Sequence, residues 1–131
     1  MNAFKDQDPN SKEWKNRQRT LMLCSRGVIS RYRHLMKDLM DLLPHSKKEA
    51  KVERKVVKDV IDDLCFQRSC NNCMFFEARK KKDLFLWIMK SPNGPSFKFS
   101  VSNIQTADEL KLTGNCLKFS RPLLSFDSSF D

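Results

Sequence analysis

The chain has only three glycines and two histidines among 131 residues, and the compact catalytic signatures that such residues mark are missing. There is no GxGxxG, Walker A or GxSxG arrangement, hence no glycine-built phosphate cradle and no nucleophile elbow. The His-x-Glu of zinc deaminases is absent, because Ser46 and Lys47 follow His45. Only His34 and His45 could serve as bases near neutral pH, and helical spacing puts His34 on an outer, solvated face. No apolar run approaches the roughly 18 residues needed to cross a bilayer. The opening MNAFKDQDPN lacks the charged-then-apolar layout of a secretion signal. Five cysteines, an odd number, fit reduced thiols better than a disulfide framework. The expectation is a soluble, non-enzymatic protein with no cofactor, no small-molecule substrate and no membrane partner.

What is present is charge, and its placement matters more than its sum. The formal net charge is +9. From Lys12 to Lys37 eight Lys/Arg face one acid, Glu13, a local balance of +7, whereas from Phe99 to Asp131 three bases face four acids, a balance of −1. A positive field gathered at one end suits an extended polyanion such as nucleic acid. The alternative is a solvated basic face without a ligand.

The length suits about one domain. Residues 1–18 are polar and aperiodic apart from Phe4 and Trp14, and are expected to form a flexible arm before a domain spanning 19–131. TLMLCS (Thr20 to Ser25) reads as a strand entering a turn at Arg26-Gly27. Tyr32, Leu35, Met36, Leu39, Leu42 and Leu43 recur at helical spacing, with Ser30 as N-cap and Pro44 as stop. His45 to Lys55 reads as a charged linker. Val56, Val57, Val60, Ile61 and Leu64 predict a second helix to about Phe66. Strands are expected over Cys73 to Ala78 and Leu84 to Met89, then from Phe97, where Phe97, Phe99 and Val101 alternate with Lys98, Ser100 and Ser102. One helical turn over Thr106 to Leu112 and a short strand over Leu123 to Phe126 complete the reading. The order β-α-α-β-β-β predicts an α+β fold with an α/β-like layer, both helices covering one face of a small mixed sheet.

Two cationic groups stand out. Arg79, Lys80, Lys81 and Lys82 form a bare turn between two apolar strands, with Arg68, Lys90 and Lys98 near in sequence. Arg17, Arg19, Arg26, Arg31 and Arg33 surround the first strand and the helix after it. Arginine without lysine favours bidentate phosphate recognition, and Arg26-Gly27 lies where a strand hands over to a helix N-terminus. The opposing reading is that Asp38 and Asp41 bind some of these arginines in salt bridges. Phe75, Phe76, Phe85, Trp87, Phe97 and Phe99 resemble a base-stacking platform, although a core needs the same residues. Cys65, Cys70 and Cys73 are weak zinc candidates, with Cys116 or His45 as a fourth ligand. One CxxC carries little, and Cys65 and Cys73 are also explained as core.

Three segments resemble the Brix-domain family: RQRTLMLCSRGVISRYRHLMKDLMDLLPHSKKEAK, CNNCMFFEARKKKDLFLWIMKSPNGPSFKFSVSNIQT and ELKLTGNCLKFSRPLLSFD. The LLPHSKK segment and the strand pair containing GPS are the most specific parts. The resemblance implies a non-enzymatic factor of the nucleus and nucleolus that binds precursor ribosomal RNA during large-subunit assembly, alongside other assembly factors. It implies a fold of two similar α/β halves, each similar to the anticodon-binding domain of class II aminoacyl-tRNA synthetases. The likeness stops at Phe126-Asp127, so the chain is expected to correspond to the first half. An adaptor that pairs with another chain through an exposed sheet edge, or a truncated fragment without function, is the alternative.

Overall fold

The computed structural model describes residues 18–53, 57–111 and 125–130. Five strands form one sheet: β1 (Thr20–Cys24), β2 (Ser46–Lys48), β3 (Asn72–Arg79), β4 (Asp83–Lys90) and β5 (Ser96–Val101). Helix α1 (Ser30–Leu42) joins β1 to β2, and α2 (Val57–Gln67) lies between β2 and β3. The spatial order is β2-β1-β3-β4-β5. β1 runs parallel to β2 and β3, whereas β3, β4 and β5 form an antiparallel meander.

The strand alternation sorts the core into two layers. Leu21, Leu23, Cys73 and Phe75 meet Ile61 and Cys65 of α2, while Met22, Cys24, Phe76 and Leu84 meet Tyr32 and Met36 of α1. The two helices therefore cover opposite faces of the sheet, not the single face expected. Connectivity gives the reason. The chain steps from β1 outward to β2, then returns across β1 to β3. Parallel crossovers are right-handed, so reversing the direction of travel moves the connecting helix to the other face. Phe76, with 0% exposure, lies at the centre of the α1 layer. Burying a side chain of that kind contributes about 1.5–3 kcal/mol.

β2 is the second departure, because it falls inside the segment read as a charged linker. Three residues, Ser-Lys-Lys, hold no apolar alternation that periodicity could detect. Backbone pairing creates this strand: Thr20 N–H donates to His45 O at 3.2 Å and Glu49 N–H to Met22 O at 3.1 Å. The observed order is thus β-α-β-α-β-β-β. A third departure is at the start of α1. Ile29 holds the N-cap position without a side-chain bond, and Ser30 is the first helical residue. The helix ends before Pro44 as expected, with Leu43 N–H donating to Leu39 O at 3.0 Å.

β4 is apolar throughout, yet only Leu84 is fully buried. β5 forms where expected but is not half-buried: every residue from Ser96 to Ser100 is exposed, Phe97 at 57% and Phe99 at 50%. After β5, Leu110 N–H donates to Thr106 O at 3.1 Å, closing the single turn anticipated there. The strand expected at Leu123 to Phe126 lies partly outside the described residues, and Ser125 and Phe126 are not in a strand. Among the described residues no helix is long and apolar enough to cross a membrane.

Candidate nucleic-acid interface

Where β1 ends, a serine sets the geometry. Ser25 N–H donates to Phe76 O at 2.9 Å, and its buried hydroxyl accepts from Ala78 N–H at 2.9 Å. This clamp seats the loop leaving β1 against the end of β3. Gly27 takes φ +82°, a left-handed turn that a side chain would strain. The exposed Arg26 therefore projects from the same sheet edge as the β3–β4 hairpin. Tyr32 Oη donates to Lys82 O at 2.5 Å and fastens α1 to that hairpin.

Lys80, Lys81 and Lys82 form the tip of the hairpin, and all three are exposed. Lys82 N–H donates to Arg79 O at 3.0 Å, and Lys80 and Lys81 take φ of 49° and 57°. Positive φ matches the twist of a tight hairpin, but lysine adopts it only against steric resistance. Among the described residues no carboxylate lies within ion-pair reach of Lys80, Lys81 or Lys82.

The arginines at this edge do have partners, though not Asp38 and Asp41. Arg26 pairs with Glu53 at 2.6 Å, and Arg31 pairs with Glu109 at 2.8 Å. Arg33 donates to Ser30 Oγ at 2.9 Å. Asp38 instead accepts from Ala107 N–H at 2.9 Å. Such exposed pairs contribute little net stability, so a phosphate can replace the glutamate at small cost.

Arg79 and Lys98 belong to the neighbouring α2 face. Both turn towards Glu77, whose side chain is only 3% exposed. Arg79 Nε donates to Glu77 Oε1 at 2.9 Å, Trp87 Nε1 donates to Oε2 at 2.8 Å, and Lys98 Nζ lies 3.5 Å from Oε2. Burial pushes the Glu77 carboxyl upward. Hydrogen bonds from Trp87 and Arg79, with the charges of Lys98 and Arg79, outweigh it and hold the group below its ordinary value. The cations also rest on aromatic rings: Arg79 lies 5.1 Å from the Phe85 centroid, and Lys98 lies 4.4 Å from Phe85 and 4.8 Å from Trp87. Beside them a groove of about 530 Å³ runs along the sheet, with Phe75, Trp87 and Met89 in its lining and Ile61 and Asp62 from α2.

The remaining sequence candidates lie elsewhere. Arg19 precedes β1, at the opposite end of the strand from Arg26, and its carbonyl accepts from Asn71 and Asn72 N–H. Arg17 lies outside the described residues, as does Cys116. Cys65, Cys70 and Cys73 are buried together in the α2 layer. Cys70 Sγ donates to Arg68 O at 3.6 Å. The adjacent Cys65 and burial push the Cys73 thiol up. Among the described residues no three His, Cys, Asp or Glu side chains are grouped to hold a metal. Of the candidate stacking aromatics, Phe76 is buried against α1, while Phe97 and Phe99 pair in register with Ile88 and Leu86 on the α1 face. The sequence reading missed Glu77. Its signal was available: Cys73, Phe75 and Glu77 alternate onto one face, which makes the glutamate an inward charge needing partners.

Comparison with known proteins gives a consistent result. The Brix domain family model matches residues 25–131. The human ribosome biogenesis protein BRX1 homolog is 56% identical over 119 residues, covering 91% of this chain and 34% of that protein. Ribosome biogenesis protein BRX1 of Saccharomyces cerevisiae is 51% identical over 130 residues, covering 99% of this chain and 45% of that one. The chain thus spans less than half the length of these relatives. A probable ribosomal biogenesis protein from Aeropyrum pernix K1 superposes with a TM-score of 0.56 at 15% identity, over 72% of this chain and 53% of that structure, a likeness of fold.

Proposed function

The chain belongs to the Brix-domain family, and from that premise we propose that it serves as a non-catalytic, RNA-binding assembly factor of the large ribosomal subunit. In this reading it works in the nucleus and nucleolus on precursor ribosomal RNA, next to other large-subunit assembly factors. The observation that carries it is the cationic edge: Lys80, Lys81 and Lys82 on one hairpin, Arg26 on the adjoining loop, and Arg31 and Arg33 at the start of α1. Ser25 and Tyr32 hold these elements together without using a cationic side chain, so the three lysines stay available for phosphate, and Arg26 and Arg31 need only exchange exposed glutamates for it. Arg79 and Lys98 extend the contact onto the α2 face, whereas Arg19, at the far end of β1, contributes only if the RNA reaches around the sheet.

The test is a salt titration with a precursor ribosomal RNA fragment. Log affinity should fall with log salt by about 0.7 per phosphate engaged on a single strand. Lys80→Glu, Lys81→Glu and Lys82→Glu together should flatten that slope and weaken binding while leaving the circular dichroism spectrum unchanged. Binding that survives the triple reversal removes the hairpin from the site.

A second reading has its own observation. Phe97 and Phe99 are exposed on β5, which pairs only with β4 among the described residues. Apolar side chains on an open edge suit a protein partner that adds a strand. A flat salt slope, with a partner captured through β5, would favour this adaptor role.

A further inference from the structure

The groove on the α2 face is not needed for backbone contact, and its lining suits a different part of a nucleic acid. Resting on the RNA-binding reading above, we infer that this groove is a subsite for an unpaired nucleotide, with the base against Trp87 and Met89 and the adjoining phosphates on Lys98, Arg79 and Lys90.

Four observations support it. The first is size: a groove of about 530 Å³ falls within the range of small-ligand sites, and β4 lines it with Trp87, Met89 and Lys90. The second is the lining. Trp87 and Met89, half-buried with Phe75 packed beneath them, offer apolar and aromatic surface, while Arg79, Lys90 and Lys98 supply cations along the margin. Asp62, the acid on the α2 wall, already accepts from Ser91 Oγ at 2.7 Å. The third is organisation. The buried Glu77 holds Trp87 and Arg79 through hydrogen bonds to its two oxygens, so the indole plane and that guanidinium are set before anything binds, while Lys98 is held only by a 3.5 Å ion pair and can move. Lys98 now lies over the indole, 4.8 Å from its centroid. A base sliding onto that ring replaces the ammonium there and brings a phosphate for the ammonium to pair with.

The fourth observation is continuity. Arg79 lines the groove and directly precedes Lys80 in the hairpin, so one strand can pass from the basic edge into the groove. A polypeptide is a poorer occupant. The floor of the groove is the face of β3 and β4, whose backbone groups pair with each other and with β1 and β5, so it offers no free ladder there; the open edge of β5 lies at the side.

The experiment uses the full chain carrying Trp14→Phe, which leaves Trp87 as the single indole. Three probes are compared at one salt concentration: a uridine decamer, a ten-base-pair RNA duplex and heparin. Stacking predicts that the decamer quenches Trp87 emission while duplex and heparin, although bound, do not. A second variant, Ser96→Phe, fills the groove from its exposed β5 wall without removing a cation. It should weaken the decamer about five- to tenfold and leave heparin affinity unchanged. Decamer binding of equal strength to the Ser96→Phe chain, without quenching, overturns the subsite but leaves the basic edge standing. Binding of neither decamer nor heparin overturns both readings. Unchanged RNA affinity together with loss of a protein partner in the Ser96→Phe chain assigns the groove to a polypeptide and also overturns the inference.

Discussion

The phenol of Tyr32 donates to the main-chain carbonyl of Lys82 at 2.5 Å across fifty residues of sequence. One bond thus fixes the distance between the start of α1 and the cationic hairpin, and Tyr32 is otherwise buried in the α1 layer.

Tyr32→Phe keeps the packing and deletes the bond. It should destabilise the fold by about 1 kcal/mol and raise amide exchange at the hairpin tip. RNA affinity should also fall, because Lys80 to Lys82 lose their fixed placement relative to Arg26. Urea denaturation and hydrogen exchange measure the first two effects, and filter binding the third.

Lys80→Asn with Lys81→Gly places the residues a positive-φ turn prefers. Relief of left-handed strain, roughly 1–2 kcal/mol per lysine, should raise the melting temperature. With two cations gone, the salt slope for single-stranded RNA should shrink by up to about 1.4. A more stable protein that binds less well would show that the hairpin sacrifices stability for charge.

Glu77 makes folding sensitive to acid. Its carboxyl titrates lower when folded than when unfolded, so it stabilises the fold fully above the unfolded value, near 4.3. That contribution is lost as pH falls from there through the lower folded value. Glu77→Gln should destabilise at neutral pH by about 1–3 kcal/mol, because Arg79 and Lys98 lose a buried counter-charge. It should also flatten the stability profile below about pH 5. Denaturation midpoints of both proteins across that range provide the check.

Gly94→Ala tests the turn between β4 and β5. A Cβ there would sit 2.5 Å from Lys90 Cβ and 2.7 Å from Lys90 O, so backbone must shift. Destabilisation of about 1–3 kcal/mol is expected. Lys90 N–H should also lose protection, since its bond to Pro95 O at 3.2 Å closes the same turn.

Much of the fold was legible because strands and helices announce themselves by period. β3, β4 and β5, both helices and the cationic hairpin follow from alternation, 3-to-4 spacing and turn residues. β2 did not, since three polar residues carry no period and their pairing depends on β1 arriving alongside. Nor did the opposite-face placement of α1 and α2, which follows from strand order, a property no local window contains. The candidate interface divided in the same way. Arg26, Lys80, Lys81 and Lys82 were recoverable as exposed charge next to a turn. The ion partners Glu53 and Glu109 were not, because each is brought up by a loop distant in sequence. Arg19 was grouped with Arg26 on sequence proximity, yet a strand carries its two ends apart.

The alternation along β4 has a consequence for how the molecule can fail. Trp87 and Met89 point to the groove, while Leu84 and Leu86 point to the α1 layer. Sliding β4 by a single residue against β3 would exchange the two sets, placing leucines over Glu77 and an indole inside the aliphatic packing. The proposed groove and the hydrophobic interior therefore share one zipper. A substitution that misaligns it should dismantle the core and the groove together, leaving no folded form in which the groove alone is lost.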